Sequence, residues 1–237
     1  SKNRPNYIIV VAFGQILHEN FLKIPLQFCI NLHSSLLPKY RGAAPINRAI
    51  INGDTISGVT TMIMDKGMDT GDILLTKEIS IDQNDDAKSL HDKLSKSGGD
   101  LVIKTLSRLK NNDLLPVPQN SELATYAPKL KKEESLIDWQ LDAKEIFNKI
   151  RGLTPWPGTH TFFNGKRLQI LKGEVILGEP ADRPGYVERI TDSGIEVGTR
   201  KNRLKIIELK PEGKKAMSVK SFLSGYKINK GDSLVLD

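Results

Sequence analysis

Cysteine is nearly absent. Cys29 is the only one among 237 residues, so no disulfide can form within the chain and a cysteine-rich zinc site is excluded. Its place inside the apolar run Phe28-Cys29-Ile30 suits a buried thiol rather than a nucleophile. Histidine is scarce too: the four, at 18, 33, 91 and 160, contain no His-x-x-x-His pair, which excludes a zincin-type site. Asp65, Asp69 and Asp72 crowd one turn, yet no ligand stands at the third position and no Glu at the twelfth, so the EF-hand pattern fails. No metal is expected. G-x-G-x-x-G is missing, and a dinucleotide site is not supported. No stretch approaches the roughly 20 apolar residues of a membrane-spanning helix, and no signal-peptide pattern opens the chain. No membrane association and a cytoplasmic location are therefore expected.

What is present is an ordinary globular composition. With 38% hydrophobic residues the chain can bury a sizeable core, as one large or two modest domains. The net charge of +7 is unevenly placed: 14 Lys and Arg face 13 Asp and Glu from Ser1 to Tyr126, against 21 and 15 from Ala127 to Asp237. The excess lies in the second half, where it favours a polyanionic partner.

Tyr7 to Phe13 is a continuous apolar, β-branched run, which predicts a strand covered on both faces of a parallel sheet. Pro45 suits the first turn of a helix that stops at Gly53. Lys39, Tyr40 and Arg41 precede it in an expected exposed loop, where they would be solvated or meet RNA phosphate. Gly58 to Met64 and Ile73 to Ile81 read as strands. From Asp85 the stripe of Ala87, Leu90, Leu94, Leu101, Val102, Leu106 and Leu109 predicts a helix interrupted at Gly98-Gly99, with His91 on its polar side. Leu115 to Asn120 is Pro-rich and predicts a linker, which puts the domain boundary at 116/117.

Beyond the linker, Lys129, Lys131 and Lys132 stand at the entrance to the second domain, and a helix is expected from Asp142 to Gly152. The period then changes. Thr159 to Phe163 and Arg167 to Val175 flank Asn164-Gly165, a strong hairpin signal. Gly185 to Ile190, Gly194 to Val197, Leu204 to Leu209 and Ser233 to Leu236 follow as short strands. Several short strands with one helix suit a small β-barrel of the oligonucleotide-binding (OB) type. Arg200, Lys201, Arg203, Lys205 and Lys210 lie on or beside these strands, as a phosphate-binding stripe or as the charged edge of a sheet.

The chain is organised around Phe28 to Pro45, FCINLHSSLLPKYRGAAP. Alternation along a strand points Asn31 and His33 to one side and Leu32 to the other, at a carboxyl end where ligands bind in open α/β sheets. An amide and an imidazole side by side offer two donors to an oxygen on which negative charge develops. Asp69, in the turn after Val59 to Met64, is the expected third member; a carboxylate against His33 would fix the ring and favour its protonated form.

NLHSSLLPKYRGAAPI, followed 36 residues after His33 by the Asp of MDTGD, resembles the folate-dependent formyltransferases. The RGAAPI continuation is similar to the branch that acts on larger amines, and ATYAPKLKKEESLIDW also resembles the family. The resemblance implies a truncated Rossmann-like parallel sheet, residues 1–116, followed by a linker and a small basic OB-like β-barrel that binds tRNA, residues 117–237. It implies an upstream portion with the first βαβ units. The implied activity, in translation initiation, moves a formyl group from 10-formyltetrahydrofolate to the α-amine of methionine esterified to initiator tRNA. Asn31, His33 and Asp69 would then be catalytic. Ile16, Leu17, Ser35, Leu36, Leu37, Pro38 and Asp65 would line the folate site. Arg41, Lys131, Arg200, Lys201, Arg203 and Lys205 would meet tRNA, with the tail of folate as the other functional reading for Lys39, Tyr40 and Arg41, and the chain would act as a monomer. A formyltransferase for a small amine, a formyltetrahydrofolate hydrolase or dehydrogenase module, and a non-catalytic RNA-binding fragment stand as alternatives.

Overall fold

The computed structural model describes residues 4–14 and 17–235. The chain divides into two compact units, residues 1–49 with 54–129, and residues 50–53 with 130–237.

In the first unit, strand β1 (Tyr7–Val11), a short helix α1 (Glu19–Leu22) and β2 (Phe28–His33) are followed by β3 (Arg41–Gly42) and helix α2 (Pro45–Ile51). Next come β4 (Ile56–Ile63), β5 (Ile73–Ser80), the long helix α3 (Ala87–Lys110) and β6 (Tyr126–Ala127). The main sheet has the order β1-β2-β4-β5. Only β1 and β2 are parallel, Ile9 opposite Ile30; β2 with β4 and β4 with β5 are antiparallel. The expected parallel sheet is therefore mixed. A short hairpin connection such as that between β4 and β5 can bring only antiparallel strands side by side.

Ile30 is fully buried among Leu74, Leu109, Tyr7, Ile9 and Ile63, a placement that stabilises by about 1.5–3 kcal/mol for a side chain of this size. Cys29 is buried as expected, and burial pushes its thiol pKa up. Helix α3 starts at a reciprocal cap, Asp86 with Ser89, and ends with Arg108 and Lys110 in its last turn, where cations suit the helix dipole. It runs unbroken through Gly98-Gly99, unlike the expected interruption. A Cβ at Gly98 would lie 2.6 Å from Cδ2 of Leu32, so this glycine lets the helix approach β2 closely. The Pro-rich stretch is not a loose linker: Val117 and Ile73 exchange backbone hydrogen bonds of 2.9 and 2.8 Å. Those bonds tie residues past 116 to the first unit, which continues to residue 129.

In the second unit, helix α4 (Ala143–Leu153) is capped by Asp142 with Glu145 and buries Ile146 and Ile150. Strands β7 (Thr159–Phe163), β8 (Lys166–Ile176), β9 (Val187–Thr191), β10 (Gly194–Gly198), β11 (Arg203–Pro211) and β12 (Met217–Ser218) form an antiparallel sheet. Its order is β7-β8-β11-β10-β9, with β12 on β11. Asn164 and Gly165 turn the β7–β8 hairpin with φ of 50° and 69°, the left-handed pair that this tight turn requires. A further helix, α5 (Val219–Leu223), buries Val219 and Phe222 and was not expected; five residues are too few to display a helical period.

Among the described residues β7 and β9 share no ladder, so a closed barrel is not seen. Leu234 reaches toward both strands: its N–H donates to Gly185 at 2.8 Å, and its carbonyl accepts from the Thr161 hydroxyl. Of the strand expected at Ser233 to Leu236, Ser233 forms one bridge to Tyr186 and Leu236 lies outside the described residues. No helix among the described residues is long and apolar enough to cross a membrane.

Candidate active site

Strand β2 places the two polar heads as the alternation predicts. His33 is buried and Asn31 half-buried, while Leu32 packs toward Gly98 of α3. Asp69 arrives from the β4–β5 loop. Its Oδ1 lies 3.4 Å from Nδ2 of Asn31, its Oδ2 lies 3.6 Å from Nδ1 of His33, and Oδ2 also accepts the Gly42 N–H at 2.8 Å. The structure thus brings Asn31, His33 and Asp69 together. The two longer separations are those of a loosely closed polar cluster that a bound ligand can tighten.

The second ring nitrogen of His33, Nε2, stands 2.9 Å from the carbonyl oxygen of Tyr40. A nitrogen facing an oxygen acceptor must carry a hydrogen to bond it. Nε2 thus has its acceptor, whereas Nδ1 faces the Asp69 carboxylate from 3.6 Å, beyond hydrogen-bond length. Tyr40 holds that carbonyl in place from a left-handed backbone conformation, φ 61°, with its N–H on Thr125 and its hydroxyl on Asp54.

The trio opens into a cleft of about 680 Å³. Its walls include Phe13, Leu17, Met64, Asp65, Leu94 and Val102. Leu17 and Asp65 thus line the cleft, whereas Ile16 lies outside the described residues. Ser35, Leu36, Leu37 and Pro38 do not line it. They serve as an anchor instead: the Ser35 hydroxyl donates to Lys39, the Ser35 carbonyl accepts from the Thr60 hydroxyl, and the Leu37 N–H donates back to Thr60. His91, expected on the polar side of α3, does border the cleft, with Ser95 beside it. Among the described residues no group of three or more His, Cys, Asp or Glu is placed to hold a metal ion.

The basic residues fare differently from one another. Arg41, expected in an exposed loop to meet RNA, is 3% exposed, and its guanidinium donates twice to Gln119. Arg200 pairs with Asp142 at 2.9 Å and Glu145 at 3.4 Å. Arg203 pairs with the buried Glu196 at 3.0 Å, an ion pair rather than an aligned hydrogen bond, and with Glu188 at 3.7 Å. Lys205 faces Glu174 at 3.8 Å. Lys131 and Lys201 are exposed, and their ammonium groups have no carboxylate partner among the described residues. The stripe is thus mostly a lattice of ion pairs. Sequence gave no sign of Gln119 either, because it sits in a stretch without period.

Residues 1–106 match the family described as formyl transferase, and residues 129–227 match its C-terminal domain. A curated relative from Thermodesulfovibrio yellowstonii, named methionyl-tRNA formyltransferase, is 50% identical over 227 residues, covering 96% of this chain and 72% of that protein. The chain belongs to the formyl transferase family. A second relative of the same name, from Caldanaerobacter subterraneus subsp. tengcongensis, is 49% identical over 97% of this chain and 74% of its own length. Among solved structures, HypX from Aquifex aeolicus in complex with tetrahydrofolic acid superposes with a TM-score of 0.69 at 19% identity, covering 96% of this chain and 42% of that one. At that identity the likeness is one of fold alone.

Proposed function

We propose that this formyl transferase transfers a formyl group from 10-formyltetrahydrofolate to the α-amine of methionine esterified to initiator tRNA. The observation that carries the reading is the convergence of Asn31, His33 and Asp69 on one cleft, in a chain about half identical to proteins named methionyl-tRNA formyltransferase. The co-substrate supplies the formyl carbon as an amide-like carbonyl on a folate nitrogen. The cleft suits it: apolar walls from Phe13, Leu17 and Val102 fit a flat ring, and the polar heads of Asn31, His33 and Asp69 line the same cleft.

Asn31 offers an amide N–H, and the His33 ring in its charged form offers a second donor at Nδ1, since its Nε2–H is committed to Tyr40. Both donors would hold the formyl oxygen as the acceptor nitrogen bonds to the carbon and charge moves onto that oxygen. Asp69 would take the proton released by the amine and return it to the folate nitrogen as the old carbon–nitrogen bond breaks. Leu17 and Asp65 are the folate contacts that this reading retains.

The second unit would receive tRNA. Its exposed Lys131 and Lys201 suit phosphate contact, whereas Arg200, Arg203 and Lys205 are engaged with carboxylates. Its sheet would work as an OB-like surface, with Leu234 spanning from β7 toward β9. A monomer in the cytoplasm is the form that fits this role.

The test is formyl transfer by the full-length protein. Removal of one oxyanion donor lowers turnover by ~10²–10³, so Asn31→Ala, and Asp69→Asn with it, should lose activity of that order while folate binding persists. Full turnover by Asn31→Ala at saturating acceptor would refute the assignment. Equal use of small amines and charged tRNA would favour the small-amine alternative.

A further inference from the structure

The backbone of Asp69 is left-handed, φ 54°, a conformation uncommon outside glycine even though aspartate enters it more readily than most residues. Something must hold the bend. The Gln119 side chain does so from the far side: its Nε2 donates to the carbonyls of both Asp69, at 2.9 Å, and Gly71, at 2.7 Å. Its Oε1 accepts from Nε and Nη2 of Arg41, at 3.1 and 2.8 Å. An amide has two N–H groups and two lone pairs on oxygen, so every bond that the Gln119 side chain can make is made. Carbonyls on one side and a guanidinium on the other admit only one orientation of the amide.

Arg41 is itself fixed in β3, paired with β6 and almost fully buried. The next residue, Gly42, donates its N–H to the Asp69 carboxylate at 2.8 Å. Arg41, Gly42, Asp69 and Gln119 therefore form a closed ring of bonds that sets both the backbone and the carboxylate of Asp69. We infer that Gln119, braced by Arg41, is a positioning residue that holds Asp69 against His33 and Asn31. The inference rests on the reading that Asp69 takes part in formyl transfer.

Gln119→Glu separates positioning from mere bracing. The carboxylate keeps the Arg41 contact and the shape, but meets the Asp69 and Gly71 carbonyls with oxygen instead of N–H. A displacement of about 1 Å at a reacting group can cost ~10² in rate, so kcat should fall by roughly 10- to 100-fold. The KM for folate and for tRNA should stay near wild type. The Gly42 amide resonance, which reports the bond to Asp69, should move, and a melting curve verifies folding. Should Gln119→Glu not fold, Arg41→Lys is measured in the same way; it keeps the charge and loses the two-point grip, and should show the same pattern more weakly.

Asp69→Asn is the reference. Full turnover in Asp69→Asn would overturn the functional reading and this inference with it. An impaired Asp69→Asn beside a Gln119→Glu with full kcat and an unmoved Gly42 amide would overturn the inference alone.

Discussion

Arg203→Ala and Lys201→Ala, two substitutions two residues apart, should act on different properties of the second unit. Glu196 is 8% exposed at its side chain and has Arg203 at 3.0 Å, with Arg189 more distant at 3.9 Å. Breaking a buried ion pair by removing one partner costs about 3–5 kcal/mol. Arg203 is 27% exposed and Arg189 remains, so the loss should be smaller, roughly 1–3 kcal/mol. For a chain of this size each kcal/mol lowers Tm by about 2–4 °C, a drop easily seen in a thermal melt. Because the Arg203 charge is already compensated, its removal should leave the salt dependence of tRNA binding almost unchanged.

Lys201 has the opposite profile. An exposed cation without such a partner should change stability by no more than about 0.5 kcal/mol. If it meets a phosphate, its loss should reduce the slope of log affinity against log salt by about 0.7–0.9. Titrations of tRNA at several salt concentrations, run beside melts of both variants, give the four readings. An Arg203→Ala protein that keeps its Tm but binds with a flattened slope would refute the reasoning, since the arginine would then be serving RNA and not Glu196.

Two further outcomes follow from local geometry. A methyl group at Gly99, inside α3, meets nothing within 4 Å, whereas one at Gly71 falls on the carbonyl oxygen of Ile63. Gly99→Ala should therefore raise stability by about 0.5–1 kcal/mol through helix propensity, and Gly71→Ala should lower it; shifts of the same sign in the two melts would contradict this. Burial, then the charges of Arg167 and Lys149, hold the His160 ring below the usual imidazole range. The unfolded chain then binds the proton first, so the group costs no stability above its unfolded value of about 6.5 and increasingly destabilises as pH falls from there toward the folded value. His160→Gln should flatten the rise of unfolding free energy with pH in that window, and an unchanged slope would count against it.

The elements were legible where a single local rule governs them. Apolar alternation located β2, and Asn164-Gly165 located the β7–β8 turn, because side-chain period and left-handed turn chemistry are written in neighbouring residues. Continuity of α3 was not legible. Two adjacent glycines read as a break when helix propensity alone is weighed, and only the presence of Leu32 across the interface shows that Gly98 serves close packing. Sheet direction was lost for a similar reason, since a run such as Val59 to Met64 is equally apolar whether its neighbours run with it or against it.

At the site, the trio was legible and its support was not. Asn31 and His33 share a strand, so their common direction follows from spacing; Asp69 entered by motif. Arg41 shows what spacing cannot give. In sequence it is one more cation beside Lys39 and Tyr40, in the kind of exposed loop that meets phosphate. In the fold it is 3% exposed, and a charge so far from water must have acceptors close by. Gln119, 78 residues further on, provides them. That partner lies in a Pro-rich stretch with no period to mark it, so a residue expected to meet RNA instead braces the loop of Asp69. Ser35 to Pro38 went the same way: Thr60 claims the Ser35 carbonyl and the Leu37 N–H, and the loop turns from the cleft to hold the end of β2. In both places a long-range hydrogen bond outweighed the local reading, because a buried polar group left without a partner costs about 1–3 kcal/mol, more than the local preferences that sequence displays.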